Sequence, residues 1–208
     1  MTYQRAVLIS AINNPMQLIL GSASPRRREL LAQIGVTADK IISADIDEIP
    51  LRGERPLPYA LRIAAAKSQA ISADECDLVL SADTIVSAGI RILGKPKNAG
   101  QAFEYLSLLS GRRHRVTTAV SLRKGRKVWT RSVTTAVKIK NLSDTEISAY
   151  IRSNEWQGKA GGYAIQGIGA MFIPFISGSY SNVVGLPLTE TANLLIGAGY
   201  PVSYEGYT

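Results

Sequence analysis

The chain has 208 residues, 46% hydrophobic and 19% charged, a balance that supports a sizeable buried core and excludes a disordered polyelectrolyte. Its 24 Lys and Arg against 16 Asp and Glu give a formal charge of +8, which favours an anionic partner, either a polymer or a small phosphorylated molecule. A single cysteine, Cys76, and a single histidine, His114, exclude an internal disulfide, a Cys-rich zinc site and a His-pair metal centre.

Ala6 to Ile12 is a short apolar run broken by Asn13-Asn14-Pro15, with no small-residue cleavage site behind it. Residues 1–15 therefore read as an N-terminal extension, and residues 16–208 as one domain. Gln17–Leu20 predicts a short strand. Gly21-Ser22-Ala23-Ser24-Pro25 turns the chain into a helix over Arg26–Ile34, with Ser24 as N-cap, Pro25 at the first position and Gly35 as the stop. Lys40–Ser43 predicts a strand before the acidic stretch Asp45–Glu48. Leu51–Pro58 reads as loop and Tyr59–Ile71 as an Ala-rich helix bearing Lys67.

Leu78–Ala82 predicts an apolar strand ending at Asp83-Thr84, with a hairpin turn at Ser87-Ala88-Gly89 just beyond. Asn98 caps a helix through Leu109, with Phe103, Leu106 and Leu109 or Leu108 on its buried stripe. Val116–Leu122 and Val128–Ile139 predict a long hairpin. Ser143-Asp144-Thr145-Glu146 is a capping box for a helix to about Ser153. A Gly-rich loop over Gly158–Gly169, a strand over Met171–Ile176 and a helix over Thr189–Ile196 complete the pattern. Helices mixed with hairpins predict an α/β fold whose twisted sheet is mixed rather than purely parallel.

Four segments carry candidate chemistry. A strand–turn–helix unit such as Gly21–Arg28 forms an anion site from helix N–H groups, and Ser22, Ser24, Arg26 and Arg27 add hydroxyls and planar cations. Three arginines in a first helical turn oppose the helix dipole unless an anion offsets them, which favours a phosphate over a merely capped helix. Asp83, at the end of an apolar strand, sits where α/β sheets place ligands, and can bind a metal or activate water; a plain Asx-turn is the bland alternative. Gly89 to Lys95 fits a P-loop until Pro96 replaces the required Ser or Thr, so a Walker-type NTPase is rejected, though Lys95 and Lys67 can still meet a phosphate as point charges. The four glycines between Gly161 and Gly169 allow close backbone approach to a ligand, and Gln166 can read a nucleobase edge. Taken alone, Glu48 reads as part of a solvated turn, Cys76 as unreactive between two acids, and His114 as part of a basic surface rim.

Together these pieces resemble the Maf family of nucleoside triphosphate pyrophosphatases. The match runs from Met16 to about Leu195 through Ser22-Ala23-Ser24-Pro25-Arg26-Arg27-Arg28-Glu29-Leu30-Leu31, Ala66-Lys67, Ala82-Asp83-Thr84, Gly94-Lys95-Pro96, Leu109-Ser110-Gly111, Lys159-Ala160-Gly161-Gly162-Tyr163 with Gln166-Gly167, and Val184-Gly185-Leu186-Pro187. The resemblance implies a two-lobed α/β fold around a central cleft, similar to inosine triphosphate pyrophosphatases. It implies hydrolysis of a nucleoside triphosphate to the monophosphate and pyrophosphate with a divalent metal, Mg²⁺ or Mn²⁺. Asp83 matches the family's proton acceptor. Arg26, Thr84 and Gln166 match the positions that distinguish enzymes acting on dTTP and UTP. Ser24, Arg27, Lys67 and Lys95 match other positions of the family's pocket, Ser22 opens the matched segment beside them, and Glu48 matches an acidic position near the pocket that is expected, with Asp83, to bind the metal. Clearing of non-standard nucleotides, a link to cell division and homodimers are further implications. The absence of a targeting segment and the single cysteine point to a cytoplasmic location. Trp156-Gln157-Gly158 departs from the pattern, since many members carry a proline and an acidic residue there.

The rival class is a non-enzymatic regulator using Arg112, Arg113, Arg115, Arg123, Lys124, Arg126 and Lys127 to bind nucleic acid or a division partner. Aromatic residues are only 7% and form no stacking stripe, which disfavours nucleic acid. No apolar run approaches the ~18 residues of a membrane span.

Overall fold

The computed structural model describes residues 16–202, so the extension expected over residues 1–15 lies outside the described residues. Strand β1 (Leu18–Leu20) leads into helix α1 (Pro25–Gln33), and β2 (Lys40–Ile41) is followed by α2 (Pro56–Ala70). Strands β3 (Leu78–Ala88) and β4 (Arg91–Leu93) precede α3 (Ala99–Leu109). A long hairpin of β5 (Arg113–Lys124) and β6 (Lys127–Lys138) leads to α4 (Asp144–Arg152). Two 3₁₀ turns, Ala160–Gly162 inside the Gly-rich region and Ile168–Phe172 running past its end, precede β7 (Phe175–Ser177), α5 (Tyr180–Val184) and α6 (Leu188–Gly197).

Among the described residues seven strands form one sheet in the order β2-β1-β3-β5-β6-β7, with β4 also on β3. β1 pairs parallel with β2 and β3, and the remaining pairs are antiparallel, so the sheet is mixed as expected. Flanking helices gather the core into two main clusters. One contains Leu18, Leu20, Leu30, Leu31, Leu80 and Leu195; the other contains Leu93, Leu106, Leu109, Val137, Tyr150 and Phe172. The cleft is lined by Val184 of the first cluster and by Val86, Val116 and Tyr163 of the second.

Several boundaries differ from the sequence reading. β3 does not end at Asp83. It continues to Ala88 because β5 pairs with it from Leu78↔Lys124 to Ser87↔Arg115. Helix α2 begins at Pro56, since Pro56 and Pro58 occupy first-turn positions whose N–H groups would have no helical acceptor anyway. The strand expected over Met171–Ile176 shrinks to Phe175–Ser177. Phe172 instead turns into the core and packs edge-on against Tyr150, ring centroids 5.3 Å apart. Helix α5 carried no sequence signal long enough to identify it. Two caps match their sequence signals: Asn98 Oδ1 accepts from the Gln101 amide, and Ser143 with Glu146 forms the capping box.

The break in pairing along one edge of β3 positions the cleft. β1 accompanies β3 only to Leu80, and β4 joins the same edge only from Val86. Between them Asp83 and Thr84 have a strand neighbour on the β5 side alone, in register with Ala119 and Thr118. Ligand crevices in α/β sheets arise at such discontinuities.

Candidate active site

Strand alternation sends adjacent residues of β3 to opposite faces. Asp83 turns toward α2, where Lys67 stands in the last helical turn, and the Lys67 Nζ donates to Asp83 Oδ1 at 2.7 Å. The same ammonium meets Glu48 Oε1 at 2.9 Å. Lys67 and Asp83 are buried, at 9% and 7% exposure, while Glu48 is half-exposed. Burial alone would raise the Glu48 carboxyl, but the Lys67 hydrogen bond and charge, aided by Lys95 and Arg27, bring it below its ordinary value. The loop bearing Glu48 is tied to α2. Tyr59 Oη donates to the Glu48 carbonyl at 2.8 Å, and Arg62 grips Glu54 at 2.7 and 2.6 Å. The acidic stretch is thus tied to α2, and Glu48, though 42% exposed, lines the cleft.

Thr84 turns the other way, toward α1. Its Oγ1 lies 2.9 Å from Thr118 Oγ1 and accepts from Arg27 Nη2 at 3.2 Å. Arg27 also donates through Nε to the Gly185 carbonyl at 2.8 Å and through Nη1 to Ser22 Oγ at 2.9 Å. Desolvation lowers its pKa, and the neighbouring Asp83 charge opposes that shift. Arg27 therefore serves as a clamp between α1, β3 and the segment after α5, beyond the phosphate role read from sequence. Ser22 Oγ also accepts from the Ser24 amide at 3.2 Å, so this hydroxyl organises the turn. Ser24 occupies the N-cap position, but its side chain makes no capping bond.

The cleft encloses about 440 Å³ and collects every sequence-predicted site residue: Ser22, Ser24, Arg26, Arg27, Glu48, Lys67, Asp83, Thr84, Lys95 and Gln166 all line it. Lys95 and Gln166 are exposed at its rim. Burial lowers the pKa of Arg26, with Glu29 opposing. Sequence reasoning missed Lys159 as a site residue, although it stands at the head of the Gly-rich segment. It lines the same cleft, and burial followed by the Arg26 charge lowers its pKa. Gly161 explains part of that segment's composition: at φ +70°, a Cβ there would come within 2.8 Å of Val86 Cγ1.

Two further expectations are corrected. His114 is 3% exposed rather than on a basic rim, because β5 alternates Arg113 and Arg115 outward with His114 inward. Its Nε2 lies 2.6 Å from Tyr163 Oη, its Nδ1 has no hydrogen-bond partner among the described residues, and burial lowers its pKa to about 4. Arg123 is taken from the basic surface by the end of α2. It donates to the Ser68 and Ile71 carbonyls at 2.8 and 2.6 Å, which satisfies the helix's last acceptors.

Among the described residues no three His, Cys, Asp or Glu side chains gather into a metal cluster. Asp83 and Glu48 nonetheless converge on one point, the Lys67 ammonium. Two hard carboxylates fit an ion such as Mg²⁺, which takes few protein ligands and completes its shell with water and substrate phosphates. Among the described residues no helix is long and apolar enough to cross a membrane.

Known proteins place this cleft in context. The dTTP/UTP pyrophosphatase of Cereibacter sphaeroides is 60% identical over 187 residues, covering 90% of this chain and 97% of that protein. The dTTP/UTP pyrophosphatase of Ruegeria sp. is 56% identical over 187 residues, with the same coverage of 90% and 97%. Among solved structures, a HAM1 protein from Coxiella burnetii aligns with a TM-score of 0.47 at 14% identity, covering 88% of this chain and 99% of that one. Residues 17–198 match the family described as Maf-like protein, and with the site residues above gathered in one cleft, the chain belongs to that family.

Proposed function

We propose that the protein hydrolyses pyrimidine nucleoside triphosphates, dTTP and UTP foremost, to the monophosphate and pyrophosphate. The observation that carries this reading is the buried Asp83–Lys67 pair, set at the break in the sheet and faced across one cleft by Arg26, Lys95 and Lys159. A triphosphate brings about four negative charges, and such a ring of cations offsets them as it binds. Relatives that share most of this chain's length carry the name dTTP/UTP pyrophosphatase.

In this mechanism a water attacks the α-phosphorus, its O–P bond forms, and the bond from that phosphorus to the bridging oxygen breaks. Asp83 takes the water's proton. Its Oδ1 is engaged by Lys67, which leaves Oδ2 as the accepting oxygen. Lys67, Lys95, Arg26 and Arg27 balance the charge that develops on the departing pyrophosphate. Glu48 would hold a divalent ion, Mg²⁺ or Mn²⁺, with Asp83 as the second ligand where Oδ2 binds the ion instead of taking the proton; when bound, the ion polarises phosphate oxygens and acidifies water. Gln166, exposed at the rim of the cleft, can donate to and accept from a pyrimidine edge, and with Arg26 and Thr84 it is assigned to base selection. The reading includes a homodimer, which sedimentation tests, and a cytoplasmic location, which fractionation tests.

The decisive experiment measures pyrophosphate release from dTTP, UTP, CTP, a modified uridine triphosphate and a methylated guanosine triphosphate, with Mg²⁺, Mn²⁺ or chelator. Metal-dependent release favouring dTTP or UTP is expected, with Gln166→Glu shifting the preference. Preferential turnover of the guanine nucleotide would overturn the base assignment. Absence of turnover by folded protein, together with salt-sensitive binding to DNA, would favour the regulator class instead.

A further inference from the structure

Gln166 has no hydrogen bond of its own among the described residues, yet it stands between two pinned points. On one side the Ala164 amide donates to Tyr150 Oη at 3.1 Å. On the other, the Ile168 amide donates to Glu155 Oε2 at 2.7 Å and the Gly169 amide to Glu155 Oε1 at 2.9 Å. The two sides meet, because Tyr150 Oη donates to Glu155 Oε1 at 3.0 Å. One carboxylate and one phenol thus close the segment 164–169 into a loop. The closure is tight: a Cβ on Gly169 would approach the Ala164 carbonyl to 2.6 Å. Tyr150 is almost wholly buried, at 2% exposure, so the clasp is rooted in the second core cluster.

We propose that Glu155, acting through Tyr150 and the 164–169 backbone, is a positioning residue that sets the base selectivity of the cleft by fixing Gln166 before substrate arrives. The inference rests on the assignment of Gln166 to base recognition. An exposed glutamine on an untied glycine-rich segment would lose conformational freedom on binding a base, and that cost falls when the segment is already closed. Carboxylate–amide hydrogen bonds are stronger than neutral ones, which suits Glu155 for holding two consecutive N–H groups. Next to the carboxylate, buried Trp156 donates its indole N–H to the Ile151 carbonyl at 3.1 Å, a second tie of this segment to α4.

The test compares Glu155→Gln, Glu155→Ala and Tyr150→Phe, each with Gln166 and with Gln166→Ala, on dTTP, UTP and CTP. Glu155→Ala is expected to raise KM for dTTP and UTP by ~10-fold, because the 164–169 segment must then be ordered as the base binds. It should leave kcat within about threefold and erode the preference over CTP, because Glu155 feels only Lys159 among the cleft cations, through its charge and without an ion pair. With Gln166→Ala present, the same change should add no more than about twofold. A lowered kcat at constant KM, an unchanged base preference, or effects that multiply independently of Gln166 would overturn the proposal. If Glu155→Ala does not fold, Glu155→Gln and Tyr150→Phe carry the comparison. Hydrogen exchange of the Ala164, Ile168 and Gly169 amides separates this inference from the activity. Exchange ~10-fold faster in Glu155→Gln, with the β3 and β5 amides unchanged, supports the clasp even if no nucleotide is turned over. Unchanged exchange overturns it even in an active enzyme.

Discussion

The Lys67 ammonium lies 2.7 Å from Asp83 Oδ1, and both side chains are withdrawn from solvent, whereas the Glu48 carboxylate on the other side of the same nitrogen is 42% exposed. One cation thus serves a buried acid and a surface acid at once, and the two should respond differently to mutation. Asp83→Asn keeps an acceptor for Lys67 and should fold normally, while turnover falls at least ~100-fold, the scale of a lost general base. Lys67→Met strands a buried carboxylate and should cost about 3 kcal/mol in urea denaturation. Glu48→Gln should cost under ~1 kcal/mol, as expected for a solvent-screened pair. Asp83→Asn turnover equal to wild type would remove Asp83 from the proposed chemistry.

Arg27 donates to the Gly185 carbonyl, Ser22 Oγ and Thr84 Oγ1 at 2.8, 2.9 and 3.2 Å. A lysine cannot reproduce three donors in that planar arrangement. Arg27→Lys should lose about 2 kcal/mol of stability by thermal or urea unfolding. It should also raise KM, since α1 and the Gly185 segment would no longer be fixed against β3. A variant with wild-type stability would show that the clamp is dispensable.

Asn182 is fully buried at the start of β5's partnership with α5. It accepts from the Thr118 amide at 3.1 Å and donates to the Val116 carbonyl at 3.0 Å and Thr135 Oγ1 at 2.9 Å. Asn182→Ala removes the side-chain partner of the Thr118 amide and the Val116 carbonyl, while Thr135 Oγ1 keeps its bonds to Ser179, and should destabilise the protein by about 2 kcal/mol, measured as a shift in the urea midpoint.

His114 supplies a pH test. Burial lowers its pKa from 6.5 to about 4, so the unfolded chain binds its proton at a higher pH than the folded protein does. Stability from this residue is fully present above pH 6.5 and declines as pH falls from 6.5 toward 4. Between pH 7 and pH 4.5 the wild type should lose about 2 kcal/mol that His114→Gln does not lose. Parallel stability curves for the two proteins would contradict the buried neutral imidazole.

Local signals in the sequence carried much of the fold. Ser143 with Glu146 and Asn98 before Ala99 announce helix starts, because capping needs only residues a few positions apart. Alternation and the Lys124-Gly125 turn announce the β5–β6 hairpin for the same reason. The candidate site residues were legible as short segments, since strand–turn–helix anion sites and strand-borne carboxylates have local signatures.

What lay beyond the sequence depends on contacts between distant residues. The role of Arg27 needs Gly185, 158 positions away, and the burial of Lys67 needs Asp83 on another element. The inward turn of His114 was hidden by the arginines around it, although strand alternation dictates it once β5 is paired on both sides. The residues able to meet a polyphosphate are legible along the chain, because residue chemistry and local propensity are carried by each short segment. Which cations face the cleft and which hold it together follows from packing. That choice is made by the desolvation and hydrogen-bond geometry of packed neighbours, which no local spacing encodes.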